Sequence, residues 1–179
     1  MKYDTIAYQT VEYRGEDNLN KEVKRNAPYR CTRRDAWLSH GYYFWDQDIE
    51  RAKQWGESSY AGKYVVVEYE MTCNNILDLV GSRRHQEEFK QLIALAKTEL
   101  KLENIPVSKV IQFLRKRNND CKGIFEYDSI KAQDHPNRDM VRFVDASPCR
   151  MDLNSRMQIC IFKQQNLNIS RKEIVKVHQ

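Results

Sequence analysis

Three short stretches of this 179-residue chain hold residue types that could act together on a phosphate-bearing ligand. The first, Tyr13-Arg14-Gly15, closes an apolar run containing Ile6, Tyr8 and Val11. A guanidinium there can fork onto phosphate or sugar oxygens with fixed geometry. Gly15 has no Cβ and permits close backbone approach. The second stretch, Gly41-Tyr42-Tyr43-Phe44, sets three aromatic rings in a row. Read alone, such a run is more often core and rim than a stacking wall. The third is Met157-Gln158-Ile159-Cys160-Ile161-Phe162. Strand alternation places Gln158, Cys160 and Phe162 on one face, so Gln158 can look into a cleft while its neighbours fill a core. Its amide can bond a hydroxyl but brings no net charge.

Other chemical patterns are weaker. Glu68 and Glu70 share one strand face and fit either an acid/base pair or a solvated surface. No G-x-S-x-G, G-x-G-x-x-G or Walker A run occurs, and the four histidines lack metal-ligand spacing. The five cysteines form no C-x-x-C pair, and reduced thiols in a cytoplasm are expected. Cys160 reads as a small core residue. No metal is expected.

The elements that must position these residues follow from periodicity. Residues 5–14 alternate as a strand, and residues 18–35 read as a polar loop, with room for a short helix, whose expected role is to shape acceptor choice or cover a pocket. A short strand lies around Tyr42-Tyr43-Phe44. Asp46 or Asp48 caps a helix carrying Ile49, Ala52 and Trp55 and ending near Gly56. Residues 63–71 give the clearest strand, with Val65, Val67, Tyr69 and Met71 on one side. A second apolar run covers residues 76–80. Ser82 caps a helix over 83–102 whose stripe is Phe89, Leu92, Ile93, Ala96 and Leu100. Pro106 opens another, with Val107, Val110, Ile111 and Leu114 inward. Strands are expected at 124–130, 140–144, 157–162 and 173–177. The order lacks regular βα alternation, so the expected class is α+β, in a single domain over residues 1–179.

Composition excludes several classes. Charged residues make up 31% of the chain, with Lys and Arg at 30 against Asp and Glu at 25, a net charge of +5. No apolar run approaches the roughly 20 residues of a membrane helix. Nor does an apolar signal core follow Met1, so no membrane partner and a cytoplasmic location are expected. Basic clusters at residues 30–34, 83–84 and 115–117 suit a polyanion or a pyrophosphate, or simple solvation.

The order and spacing of the three stretches resemble the ADP-ribosyltransferase superfamily, which includes poly-ADP-ribose polymerases, diphtheria-type toxins and bacterial effectors. Tyr13-Arg14-Gly15 matches a Tyr-Arg-Gly form of its first motif. Gly41-Tyr42-Tyr43-Phe44, running into the helix with Ala52 and Trp55, resembles its second element. Gln158 stands where the family's late strand carries a catalytic Glu. The resemblance covers almost the whole chain. It implies two packed, mostly antiparallel sheets around an NAD cleft, with flanking helices.

The same resemblance implies Arg14, Tyr43 and Gln158 as catalytic residues, and Tyr13, Arg14, Gly15 and Tyr43 as the NAD-binding set. Tyr43 would stack on the cationic nicotinamide ring, while Tyr42 and Phe44 would pack inside. NAD is implied as substrate, with a protein or nucleic-acid acceptor, in a toxin or antiviral effector that could have an antidote protein. Transfer of a single ADP-ribose is expected, because chain elongation in the family depends on the missing Glu. A unit charge about 4 Å away at an effective dielectric near 20 is worth ~4 kcal/mol, or roughly a thousandfold in rate. Gln158 therefore implies a slow enzyme, a carboxylate borrowed from elsewhere (Glu12, Glu126 or Asp128), or a non-catalytic NAD-, ADP-ribose- or nucleic-acid-binding module. A basic nucleic-acid-binding protein outside the family is the third reading.

Overall fold

Alternating apolar side chains and three amphipathic helices produce the expected α+β class. The structure is a computed structural model that describes residues 1–134 and 155–179 in full, and the backbone of residues 140–142 and 150–152. In chain order the first half comprises β1 (Tyr3–Glu12), a helical run α1 over residues 16–26, β2 (Tyr42–Asp46), α2 (Ile49–Ser59), β3 (Tyr64–Cys73) and β4 (Ile76–Asp78). Then follow α3 (Arg83–Leu100), α4 (Val107–Asp120), β5 (Ser129–Asp134), β6 (Met140–Arg142), β7 (Arg150–Asp152), β8 (Arg156–Ile161) and β9 (Ile169–His178).

Seven strands form one sheet in the order β4-β5-β8-β2-β1-β3-β9, and β6 and β7 form a separate ribbon. Only β4 and β5 run parallel within the larger sheet. The seven strands are thus continuous where the resemblance implied two packed sheets. The physical reason lies between β1 and β2, which stay paired at Ala7–Asp46 and Tyr8–Trp45. By contrast β1 pairs with β3 along its whole length, from Tyr3–Cys73 to Glu12–Tyr64.

The predicted alternation of β3 holds. Val65, Val67, Tyr69 and Met71 bury on one face with Ala7, Val11, Tyr42, Phe44, Ile159 and Ile161, and α1 closes this core with Leu19 and Val23. On the opposite face Tyr64 and Val66 meet Trp45 and Ala52 of α2. There Gly56 is obligatory, since a Cβ would overlap the Tyr64 ring. Asp48 is the cap of α2, accepting from the Arg51 amide at 2.9 Å. Helices α3 and α4 bury Phe89, Ala96, Val110, Ile111 and Leu114 against Ile130, Ala132, Cys160 and Phe162 of the β5–β8 face. Leu100, expected on the α3 stripe, is exposed at the helix end. The strand expected at 124–130 begins only at Ser129, because Phe125 and Tyr127 turn toward the helices. The 140–144 expectation is met at Met140–Arg142; residues 143 and 144 lie outside the described residues.

A buried ion pair fastens β1, β2 and β5 at the closed end of the sheet. Lys131 Nζ lies 2.6 Å from Asp46 Oδ2 and donates to the Tyr3 hydroxyl at 2.7 Å. Tyr3 and Thr5 hydroxyls donate to the two Asp46 oxygens at 2.9 and 2.7 Å. Burial alone would lower the Lys131 pKa, but Asp46 and Tyr3 hold the ammonium above its ordinary value. With its hydrogen bonds met, such a pair avoids the penalty of an isolated buried charge.

Candidate functional site

Beyond the Tyr8–Trp45 pair, β1 and β2 part. Backbone groups left open by this parting must still find partners, and the buried Gln9 side chain serves several of them. Its Nε2 donates to Tyr29 O at 3.0 Å and to Tyr43 O at 3.2 Å, while Tyr29 N donates to its Oε1 at 2.7 Å. Thr10 donates from its hydroxyl to Ala52 O at 2.6 Å, holding α2 against the same stretch of β1. The result is a cavity of about 770 Å³ between the ends of β1, β2, β8, α2 and the 29–37 segment. That volume lies in the ordinary range of small-molecule sites.

Arg14, Tyr43 and Gln158 all border this one cavity. Arg14 is exposed at its mouth, where Nε and Nη2 reach Glu12 Oε2 at 2.7 and 2.6 Å. Tyr43 forms part of the wall. Its hydroxyl donates to Ser39 O at 2.7 Å and accepts from Leu38 N at 2.9 Å. Burial drives its pKa far above the ordinary phenol value, so the hydroxyl stays protonated. Tyr42 and Phe44 are buried in the core, as expected. Gln158 borders the cavity, and Trp37 Nε1 donates to its Oε1 at 2.7 Å, while its Nε2 has no hydrogen-bond partner among the described residues. Gly41 permits this geometry, because a Cβ there would lie 2.5 Å from Cys160 Sγ and 2.6 Å from Ile161 O.

Tyr13 and Gly15 do not border the cavity. Tyr13 packs half-buried on the first core and donates from its hydroxyl to Glu16 Oε1 at 3.2 Å. Gly15, at φ 97° and ψ 166°, makes the turn that starts α1, a conformation essentially reserved for glycine. Their sequence proximity to Arg14 reflects this turn rather than a shared surface. Among the candidate carboxylates Glu12 borders the cavity, whereas Glu126 and Asp128 flank Asn75, which donates to Glu126 O and accepts from Asp128 N. Burial raises the Asp128 pKa. Glu70 pairs with Arg171 at 3.0 Å, and neither it nor Glu68 reaches the cavity.

Several wall residues were not assigned to a ligand site in sequence, although Trp55 was named there as part of the second motif element. Trp37, Trp45 and Trp55, the three tryptophans of the chain, all border the cavity, with Tyr29 and Tyr60. Trp45 and Trp55 lie 6.3 Å apart, centroid to centroid. The Arg33 guanidinium sits 5.7 Å over the Trp55 ring while forking onto Asp35 at 2.9 and 2.7 Å. The interleaving of Tyr29, Arg30, Arg33 and Trp37 was the available signal. The 18–35 stretch is helical through residue 26, and its remainder, with Trp37, supplies one wall. Arg14, Arg30, Arg33 and Arg156 face Glu12, Glu22, Asp35 and Asp134 around the cavity, so the wall is rich in charge and nearly neutral.

Both buried thiols are poor nucleophiles. Burial pushes Cys73 and Cys160 each up to about 12. Among the described residues no three His, Cys, Asp or Glu side chains converge to hold a metal ion. No helix among them is long and apolar enough to cross a membrane. Comparisons with protein-family models, curated proteins and solved structures give no match to this chain.

Proposed function

We propose that this protein is an NAD-dependent mono-ADP-ribosyltransferase with an ADP-ribosyltransferase-like NAD cleft between the parting strands. One observation carries the reading: Arg14, Tyr43 and Gln158, far apart in sequence, border a single cavity. Within it Arg14 offers Nη1 to a pyrophosphate while Glu12 fixes the rest of its fork. The tyrosine and tryptophan walls suit flat rings, the cationic nicotinamide above all. Gln158 Nε2 donates to a ribose oxygen. The acceptor is a protein or a nucleic acid, and the biological setting is a cytoplasmic toxin or antiviral effector, a class in which an antidote protein is expected. Incubation with NAD and cell extract should release nicotinamide and label an acceptor. Arg14→Ala should abolish both, and absence of release or labelling with the wild-type chain would sink the reading.

A second reading, a non-catalytic NAD- or ADP-ribose-binding module, is favoured by one feature. Gln158 supplies no negative charge where positive charge develops during bond cleavage. Calorimetry separates the two: heat of NAD binding without turnover supports the module.

A further inference from the structure

We infer that Asp134 is the carboxylate that faces the reacting ribose, in place of the neutral Gln158. This rests on the proposed reading of the cavity as an NAD cleft. The register of β5 and β8 places Ala132 opposite Gln158 and Asp134 opposite Arg156. Directly paired residues share a sheet face, so Asp134 stands on the Gln158 face, two residues further along. Diagonal neighbours of this kind lie about 7–8 Å apart, a gap a ribose ring can fill.

The other cavity carboxylates are engaged. Glu12 holds Arg14, Asp35 holds Arg33, and Glu22 accepts from Asn26 Nδ2 at 2.6 Å. Asp134 is exposed and, among the described residues, has no hydrogen-bond or ion-pair partner. Gln158 is no equivalent of a carboxylate there, because its amide carries no net charge and its Oε1 already accepts from Trp37. Among the described residues the cavity therefore offers an amide donor and, two positions along the same face, a carboxylate opposite Arg156 with no hydrogen-bond or ion-pair partner.

The step balances without a further reagent. The bond from ribose C1′ to the nicotinamide nitrogen breaks, and its electron pair leaves with the nitrogen, which becomes neutral. Positive charge passes to C1′ and the ring oxygen, beside the Asp134 carboxylate. A nucleophilic oxygen, from water or from an acceptor hydroxyl, adds to C1′ and gives its proton to Asp134, which releases it to solvent.

The test measures nicotinamide release at saturating NAD together with NAD binding, the latter from tryptophan fluorescence, since all three indoles border the cleft. Asp134→Asn should slow release by about 100- to 1000-fold and change the NAD Kd by less than about threefold. Asp134→Glu should keep part of the rate. Adding Gln158→Glu to Asp134→Asn should recover at least about tenfold, because the carboxylate returns to the same face. Release by Asp134→Asn at the wild-type rate overturns this assignment and leaves the NAD reading intact. A wild-type chain that binds NAD without release overturns the assignment and supports the binding module. A chain that does not bind NAD overturns the reading of the cleft itself, and this assignment with it.

Discussion

Trp37 shows how one side chain decides what another can do. An amide at Gln158 could be flipped either way; the indole bond at 2.7 Å fixes its oxygen beside Trp37 and so favours the nitrogen for a ligand. Trp37→Phe keeps an aromatic ring, though a smaller one, and deletes the donor, whose hydrogen bond is worth about 0.5–1.5 kcal/mol. It should lower nicotinamide release at saturating NAD about three- to tenfold, because the amide is free to flip, and the smaller ring should also weaken NAD binding. An unchanged rate would show that amide orientation is irrelevant to the reaction. Tyr43 illustrates the opposite case. Its hydroxyl is committed to Leu38 and Ser39, so it contributes a fixed surface rather than a proton.

At the level of elements, the cavity exists because two neighbouring strands pair for only two residues each and then part. The two ends of the 31–41 segment are held together, just before β2, by the Cys31–Gly41 bridge, with amide–carbonyl bonds of 2.7 and 3.2 Å. Gly41→Ala forces a methyl into Cys160 Sγ and Ile161 O, and backbone has little freedom to yield. A cost of about 1–3 kcal/mol is expected from such overpacking, seen as a fall in Tm of about 3–9 °C. The same substitution should weaken NAD binding, since it displaces the segment that carries Trp37 and Tyr43. A wild-type Tm would show that β2 and β8 can separate freely here. The apolar periods of α2, α3, α4 and β3 were legible in sequence because each needs only its own residues to define a buried face. The parting of β1 from β2 was not, since it depends on Gln9 finding Tyr29, twenty residues away.

For the whole molecule, the buried acids set an alkaline limit. Cys73 and Cys160 are pushed up to about 12 by burial, and Tyr43 and Tyr69 are also raised. The folded chain keeps these protons after the unfolded chain has lost them, so stability is complete below about pH 9 and falls above it. Each thiol withdraws about 1.4 kcal/mol per pH unit once its unfolded counterpart ionises. Urea midpoints measured from pH 8 to 11 should therefore decline steadily, and a flat profile would place water at these thiols. A fluorescence titration reports on the same scale, because the three indoles ring the cavity while their elements lie on both of its sides.

The sequence alone determined the α+β class, the inward faces of the helices, and the burial of Tyr42, Phe44 and Cys160. These follow from local periodicity, which acts over a few residues. It also pointed to Arg14, Tyr43 and Gln158 as a group. Tertiary structure decided that they border one cavity, that Tyr13 and Gly15 stand outside it, and that three tryptophans and Asp134 stand within it. Those outcomes depend on strand register and on where a sheet opens. Both are set by contacts between segments distant in sequence, Gln9 with Tyr29 across 20 residues and Trp37 with Gln158 across 121.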